Sequence, residues 1–176
     1  MIIPPSLAPR VKVMQIIAAA IMIGLAVFIV ITNILGQDNP GPPPGRTPIV
    51  TYMGLVMLAI TVTLAFVLPV MFERAAVRNI ARQAGPAGAP DDPVLLGRLL
   101  AVRQTTLLIA LALVEGAGFF SAVAFLIERE PLALGAALGA LVVMATRFPT
   151  FASVATWLQR QTEAVAALRQ RGGGAP

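Results

Sequence analysis

The chain has 176 residues, of which 57% are hydrophobic and only 12% are charged. Soluble domains are near 25% charged, so this composition predicts a membrane protein. Histidine and cysteine are absent, which excludes imidazole and thiolate metal sites, disulfide bonds and the usual nucleophile–base pairs. No Gly-rich phosphate loop occurs either. We therefore expect no metal, no cofactor and no enzymatic activity.

Four apolar stretches predict the architecture, because about 20 residues of helix span the roughly 30 Å core of a bilayer. The predicted fold is an all-α integral membrane protein with four transmembrane helices and a C-terminal amphipathic interfacial helix. The predicted spans are residues 13–35, 49–72, 105–127 and 132–148. The segments around them are a tail (1–12), an outside loop (36–48), a basic cytoplasmic loop with helical extensions (73–104), an outside turn (128–131), the interfacial helix (149–171) and a flexible tail (172–176).

The first span contains no charged residue and is about twice as long as the hydrophobic region of a signal peptide, so it is predicted to be an uncleaved anchor. The loop after it is rich in proline and glycine, which favours polyproline II geometry. Pro69 lies inside the second span and should kink it. The helix should then continue beyond the membrane to Arg82 and end before Gly85 and Pro86.

Asp92 and Pro93 together predict the start of the third helix, as an N-cap followed by proline in the first turn. The short turn after this helix requires the third and fourth spans to pack as antiparallel neighbours. Small residues near the contacts favour close helix packing. The predicted packing glycines are Gly116, Gly118, Gly135 and Gly139.

The last helix carries apolar residues at helical spacing, with polar residues elsewhere around its circumference. Such an amphipathic pattern is typical of a helix that lies along the surface of a membrane. The apolar positions are Phe151, Val154, Leu158, Val165 and Leu168.

The basic residues predict the orientation of the chain. Eleven of the 13 fall on one side of the four-span arrangement, and only Arg46 and Arg129 fall on the other. The positive-inside rule then places both termini and the middle loop in the cytoplasm. The predicted location of the protein is the cell inner membrane. We expect the lipid bilayer, with its anionic headgroups, to be the partner of these charges rather than nucleic acid.

Glu115 is the one ionisable residue within the predicted third span, and it lies near the middle. A charged side chain at the centre of a bilayer costs about 2.5–3.5 kcal/mol on insertion scales. The protonated, neutral acid is therefore the expected form. Thr61 and Thr63, at the centre of the second span, should lie at a similar depth, where their hydroxyls could share a hydrogen bond with Glu115.

Residues 50–127 resemble the helical hairpin of the c-subunits of rotary ATP synthases. Ile80-Ala81-Arg82-Gln83 is similar to the cytoplasmic loop of that family, and a Thr105-Thr106 pair precedes the stretch that ends at Glu115. The resemblance implies that Glu115 would be the proton-binding acid. It also implies that Arg82 and Gln83 would contact other subunits. The family's glycine run in its first helix is replaced here by small residues at alternate positions from Ala59 to Ala65.

Two hypotheses for the function follow from Glu115. In the first, the protein is a structural or accessory subunit of a membrane assembly, and a permanently protonated Glu115 holds helices in register. In the second, it is a proton-binding, proteolipid-like subunit of a rotary ATPase or another ion-translocating complex. Under both hypotheses, we expect the protein to contact other membrane subunits or to self-associate.

Overall fold

The computed structural model describes residues 7–37, 45–83 and 92–172, and within these ranges the secondary structure consists of five helices. The helices are α1 (Ala8–Leu35), α2 (Ile49–Gln83), α3 (Pro93–Glu128), α4 (Pro131–Thr146) and α5 (Phe151–Gly172). The predicted polyproline geometry, the flexible part of the middle loop and the C-terminal tail fall largely outside the described residues.

The helices cover the four apolar stretches, but α1 begins at Ala8, within the segment predicted as the tail (1–12). α2 continues through Pro69 and ends at Gln83, as the extension beyond the apolar run predicted. The carboxylate of Asp92 accepts a hydrogen bond from the Val94 N–H at 2.9 Å, which is the predicted cap of α3. The second and third predicted spans are thus the apolar parts of two longer helices.

Three helices are long and apolar enough to cross a membrane: α1, α2 and α3. The bent pair α4 and α5 would add a fourth, broken span if the two together crossed the bilayer. An all-helical architecture is therefore confirmed among the described residues, and its three or four candidate spans are consistent with a multi-pass membrane protein. The count of four and the orientation stay predictions.

Within the described residues, the first of two compact units contains residues 17–37, 45–67 and 109–148, which include residues 109–128 of α3. In the apolar 18-residue stretch of α3, half of the residues are buried in the protein, against 22% for the corresponding stretch of α1 and 17% for that of α2. The ring of Phe28 on α1 meets that of Phe119 edge to face, with 4.8 Å between the centroids. At one end of α3, Phe125 packs with Ala133 of α4 and Val50 of α2.

Within the described residues, the second unit contains residues 7–16, 68–83, 92–108 and 149–172. Its core is aliphatic and comes from four helices, with Val11, Val77, Leu99 and Leu158 among the buried residues. Gln15 Nε2 donates to the Pro149 carbonyl at 2.9 Å, joining α1 to the segment before α5.

The apolar side of α5 serves mainly to pack this second unit. Val154, Leu158 and Val165 are each about 1% exposed, whereas Phe151 and Leu168 remain more than a third exposed. An amphipathic pattern shows which face of a helix is shielded from water. It does not show whether protein or lipid covers that face. The location of α5 on the membrane surface therefore stays a prediction.

The four packing glycines fall into two groups. A side chain on Gly118 would meet Leu25 on α1 and Ala140 on α4, so this position is a close contact. Added methyl groups at Gly116, Gly135 and Gly139 would meet nothing within 4 Å. α4 instead buries its alanine face, through Ala133, Ala136, Ala137 and Ala140 together with Met144.

Candidate functional site

Glu115 lies on the α1 side of α3, half-buried in the first unit. A methyl group added at Gly24 of α1 would lie 3.9 Å from its Oε1 atom. Within the described residues, the carboxylate has neither a hydrogen bond nor an ion pair. The adjacent Gly116 borders open space. The carboxyl group can therefore hold a proton, but the described residues supply no hydrogen-bonding group that would fix it in place.

Thr61 and Thr63 use their hydroxyl groups within α2. Thr61 Oγ1 donates to the Met57 carbonyl at 2.9 Å, and Thr63 Oγ1 donates to the Ala59 carbonyl at 2.8 Å. A hydroxyl carries a single proton, so these bonds occupy the only donor of each side chain. Among the described residues, no hydrogen bond joins either threonine to Glu115.

A polar cluster forms around Glu73 in the second unit, and we call it the Glu73 cluster: Glu73, Arg103, Thr106 and Trp157. Arg103 Nη1 donates to Glu73 Oε1 at 3.0 Å, and Trp157 Nε1 donates to Oε2 at 3.0 Å. The Thr106 hydroxyl lies 3.3 Å from Oε1. The Arg103 guanidinium also sits over the Trp157 ring, 5.5 Å from its centroid.

The Glu73 cluster connects α2, α3 and α5, and sequence analysis did not identify it. The hydrogen bonds from Arg103 and Trp157 to Glu73 join positions 30 and 84 residues apart. The Thr106 hydroxyl lies closer to the carbonyls of Val102 and Arg103, at 3.1 Å each, than to Glu73. The Glu73 side chain is only 14% exposed, so its carboxylate has lost most of its contact with water. The ion pair with Arg103 offsets this desolvation cost. Two features of the sequence could have pointed to this cluster: Glu73, an acid directly after an apolar run, and the single tryptophan of the chain.

Glu128 caps the N-terminus of α2 in the first unit. Its Oε1 accepts the Val50 N–H at 2.9 Å, and its Oε2 accepts the Thr51 N–H at 2.7 Å. These N–H groups have no partner within a helix, and the positive end of the helix dipole favours a carboxylate there. Desolvation raises the pKa of Glu128, but hydrogen bonds from Thr51 and Val50 and the charge of Arg46 outweigh it and lower the pKa overall.

The lowered pKa of Glu128 predicts a pH-dependent stability. Its contribution should be complete above the pKa of the unfolded chain, about 4.3, and be lost as the pH falls through the lower folded-state pKa. Glu128→Gln should lower the free energy of unfolding by about 1 kcal/mol at neutral pH. It should also flatten the acid limb of a pH–stability profile measured by circular dichroism in detergent.

Glu130 provides the matched control, because it precedes α4 without a side-chain capping hydrogen bond. Glu130→Gln should leave both the stability and its pH dependence unchanged. An equal effect of the two substitutions would contradict the assigned role of Glu128.

Arg82 lies exposed in the last turn of α2. Gln83 ends the same helix, and its side chain lies outside the described part of the structure. The side chains that the structure describes contain no group of three acidic residues able to hold a metal ion.

Comparison of the chain with protein-family models, curated proteins and solved structures finds no match. The likeness of residues 50–127 to rotary c-subunits therefore rests on the quoted residues alone.

Proposed function

We propose that this chain is a small, non-enzymatic integral membrane protein that acts as a structural or accessory subunit of a membrane assembly. In this proposal the protein crosses the inner membrane four times with both termini in the cytoplasm, and a neighbouring subunit covers the surface beside Glu115. The excess of basic residues in the predicted cytoplasmic segments supports the orientation.

The observation that carries the proposal is the missing partner of Glu115. A carboxyl group at mid-span is costly unless it is neutral, paired or in contact with water. Among the described residues, this chain offers it no hydrogen bond. A group from a second subunit would satisfy the acid, and the open space at Gly116 leaves room for such a helix to approach.

The proposal predicts that Glu115→Leu weakens the assembly while Glu115→Gln preserves it. The amide retains the size and hydrogen-bonding capacity of the neutral acid, whereas leucine retains only the volume. The particle mass should be measured in mild detergent by light scattering. Wild type and Glu115→Gln should run as a complex and Glu115→Leu should shift toward the monomer. A monomeric wild type in mild detergent and in nanodiscs would contradict the proposal.

A proton-binding role in an ion-translocating complex is the second candidate, and the same unpaired carboxyl favours it. Dicyclohexylcarbodiimide attacks protonated carboxyl groups in apolar surroundings. We expect it to label Glu115, with labelling that fades as the pH rises and the acid ionises. Glu115→Gln should abolish the labelling while leaving the assembly intact. A wild-type protein that resists the reagent at every accessible pH would contradict proton exchange at this site.

A further inference from the structure

A groove of about 420 Å³ runs between α2 and α5 in the second unit, and we call it the α2–α5 groove. Its α2 wall begins at Val70, in the last apolar turn before the charged part of the helix. This wall continues for two further turns, through Arg74 and Arg78. The groove therefore starts where the predicted second span ends.

The α2 wall carries two guanidinium groups one helical turn apart. Arg74 and Arg78 are both exposed, and neither forms a hydrogen bond or an ion pair within the described residues. Residues four positions apart lie on the same face of a helix. Two unpaired guanidiniums on one face match the charge and the geometry of a phosphate group.

Glu73 also lines the groove, but it does not oppose an anion as a free charge would. Its carboxylate oxygens accept hydrogen bonds from Arg103 and Trp157, and the Arg103 ion pair compensates its charge. The net charge that the groove presents is therefore positive.

The remaining lining is mostly apolar. Val70, Val77, Ala164, Ala167 and Leu168 form a hydrocarbon surface beside the two arginines. An acidic protein segment would match the charge but would gain little from this surface, whereas an acyl chain would cover it. A phospholipid carries a phosphate and an acyl chain with the same separation of polar and apolar parts.

We propose that the α2–α5 groove binds one anionic phospholipid, with its phosphate on Arg74 and Arg78 and the upper part of an acyl chain against Val70 and Leu168. Anionic lipids are concentrated in the cytoplasmic leaflet, where basic segments next to a span meet them. The lipid would fill the space between the two helices that the Glu73 cluster joins. This site rests on the orientation given in the proposed function, but not on the assembly role, since it belongs to a single chain.

Native mass spectrometry of the full chain in mild detergent tests the site directly. We expect one saturable site for phosphatidylglycerol and weaker binding of phosphatidylcholine with the same acyl chains. Arg74→Gln together with Arg78→Gln should weaken binding about 30-fold, since each basic residue near a membrane surface contributes about a five-fold factor. Equal affinity for the two lipids would overturn the proposal.

The matched control removes two charges elsewhere. Lys12 and Arg160 are exposed and do not line the groove, so Lys12→Gln with Arg160→Gln should change the affinity by less than about two-fold if the groove is the site. Equal losses in the two double variants would indicate diffuse attraction and would overturn the assignment. No loss in the groove variant would also overturn it.

A third variant tests the apolar part without changing any charge. Ala167→Trp adds volume inside the groove and should lower the occupancy of phosphatidylglycerol, while both arginines remain. Inorganic phosphate at the same concentration as the lipid should not displace it, because phosphate lacks the acyl contact. Full displacement by phosphate, or unchanged occupancy in Ala167→Trp, would reduce the site to an anion site and contradict the lipid assignment.

Discussion

Replacing Glu73 by alanine should lower the free energy of unfolding by about 3 kcal/mol. Removal of one member of a buried ion pair costs about 3–5 kcal/mol, because the other charge is left without its partner. Glu73 is 14% exposed and Arg103 is 25% exposed, so a value at the lower end is expected. Trp157, the only tryptophan, donates to the same carboxylate, so its fluorescence should report the loss in a denaturation series in mixed micelles.

Glu163 provides the control for this measurement. It lies exposed on α5 and accepts one hydrogen bond from Gln159, a residue of its own helix. Pairs of this kind contribute about 0.2–0.5 kcal/mol, so Glu163→Ala should be nearly silent.

A double-mutant cycle identifies the ion pair itself. If it is the source of the loss, Glu73→Ala and Arg103→Ala together should cost less than the sum of the two single changes. Additive losses would show that the Glu73–Arg103 ion pair is not the source of the loss. Equal losses for Glu73→Ala and Glu163→Ala would show that the Glu73 cluster does not stabilise the second unit.

Gly118→Val should destabilise the first unit by about 3 kcal/mol. A Cβ atom at this position would lie 2.6 Å from Leu25 Cδ2 and 3.0 Å from Ala140 Cβ. The alanine contact is short because two helix backbones approach closely there, and Leu25 is fully buried. Overpacking of such a contact costs about 1–3 kcal/mol, and valine adds two further methyl groups. Circular dichroism during unfolding in mixed micelles measures the loss.

Gly116→Val is the matched control, because the same residue is introduced two positions away on the same helix. A Cβ at Gly116 meets nothing within 4 Å, so this variant should be neutral or slightly more stable, as valine has the better helix propensity. Leu25→Ala should partly rescue Gly118→Val by opening space on α1. Equal losses in the two valine variants, without rescue, would contradict the close contact at Gly118.

The sequence by itself determined where the helices lie and what kind of protein this is. Long apolar runs and a low share of charge predict helices that can span a membrane, because backbone groups in a bilayer must form their hydrogen bonds within the segment. Asp92 determined the start of α3, since a cap depends on residues that are neighbours in the chain. The sequence also singled out Glu115, since an acid inside an apolar run is visible without coordinates.

Only the tertiary structure decided which faces of the helices meet. Four glycines in apolar helices look alike in the sequence, yet Gly118 alone among them lies in a close contact. The Glu73 cluster depends on side chains as many as 84 positions apart. Glu128 reaches the N-terminus of α2 from 78 positions away. In helices that are apolar on most sides, periodicity does not mark the packed face, so these contacts depend on how each helix is rotated against its neighbours.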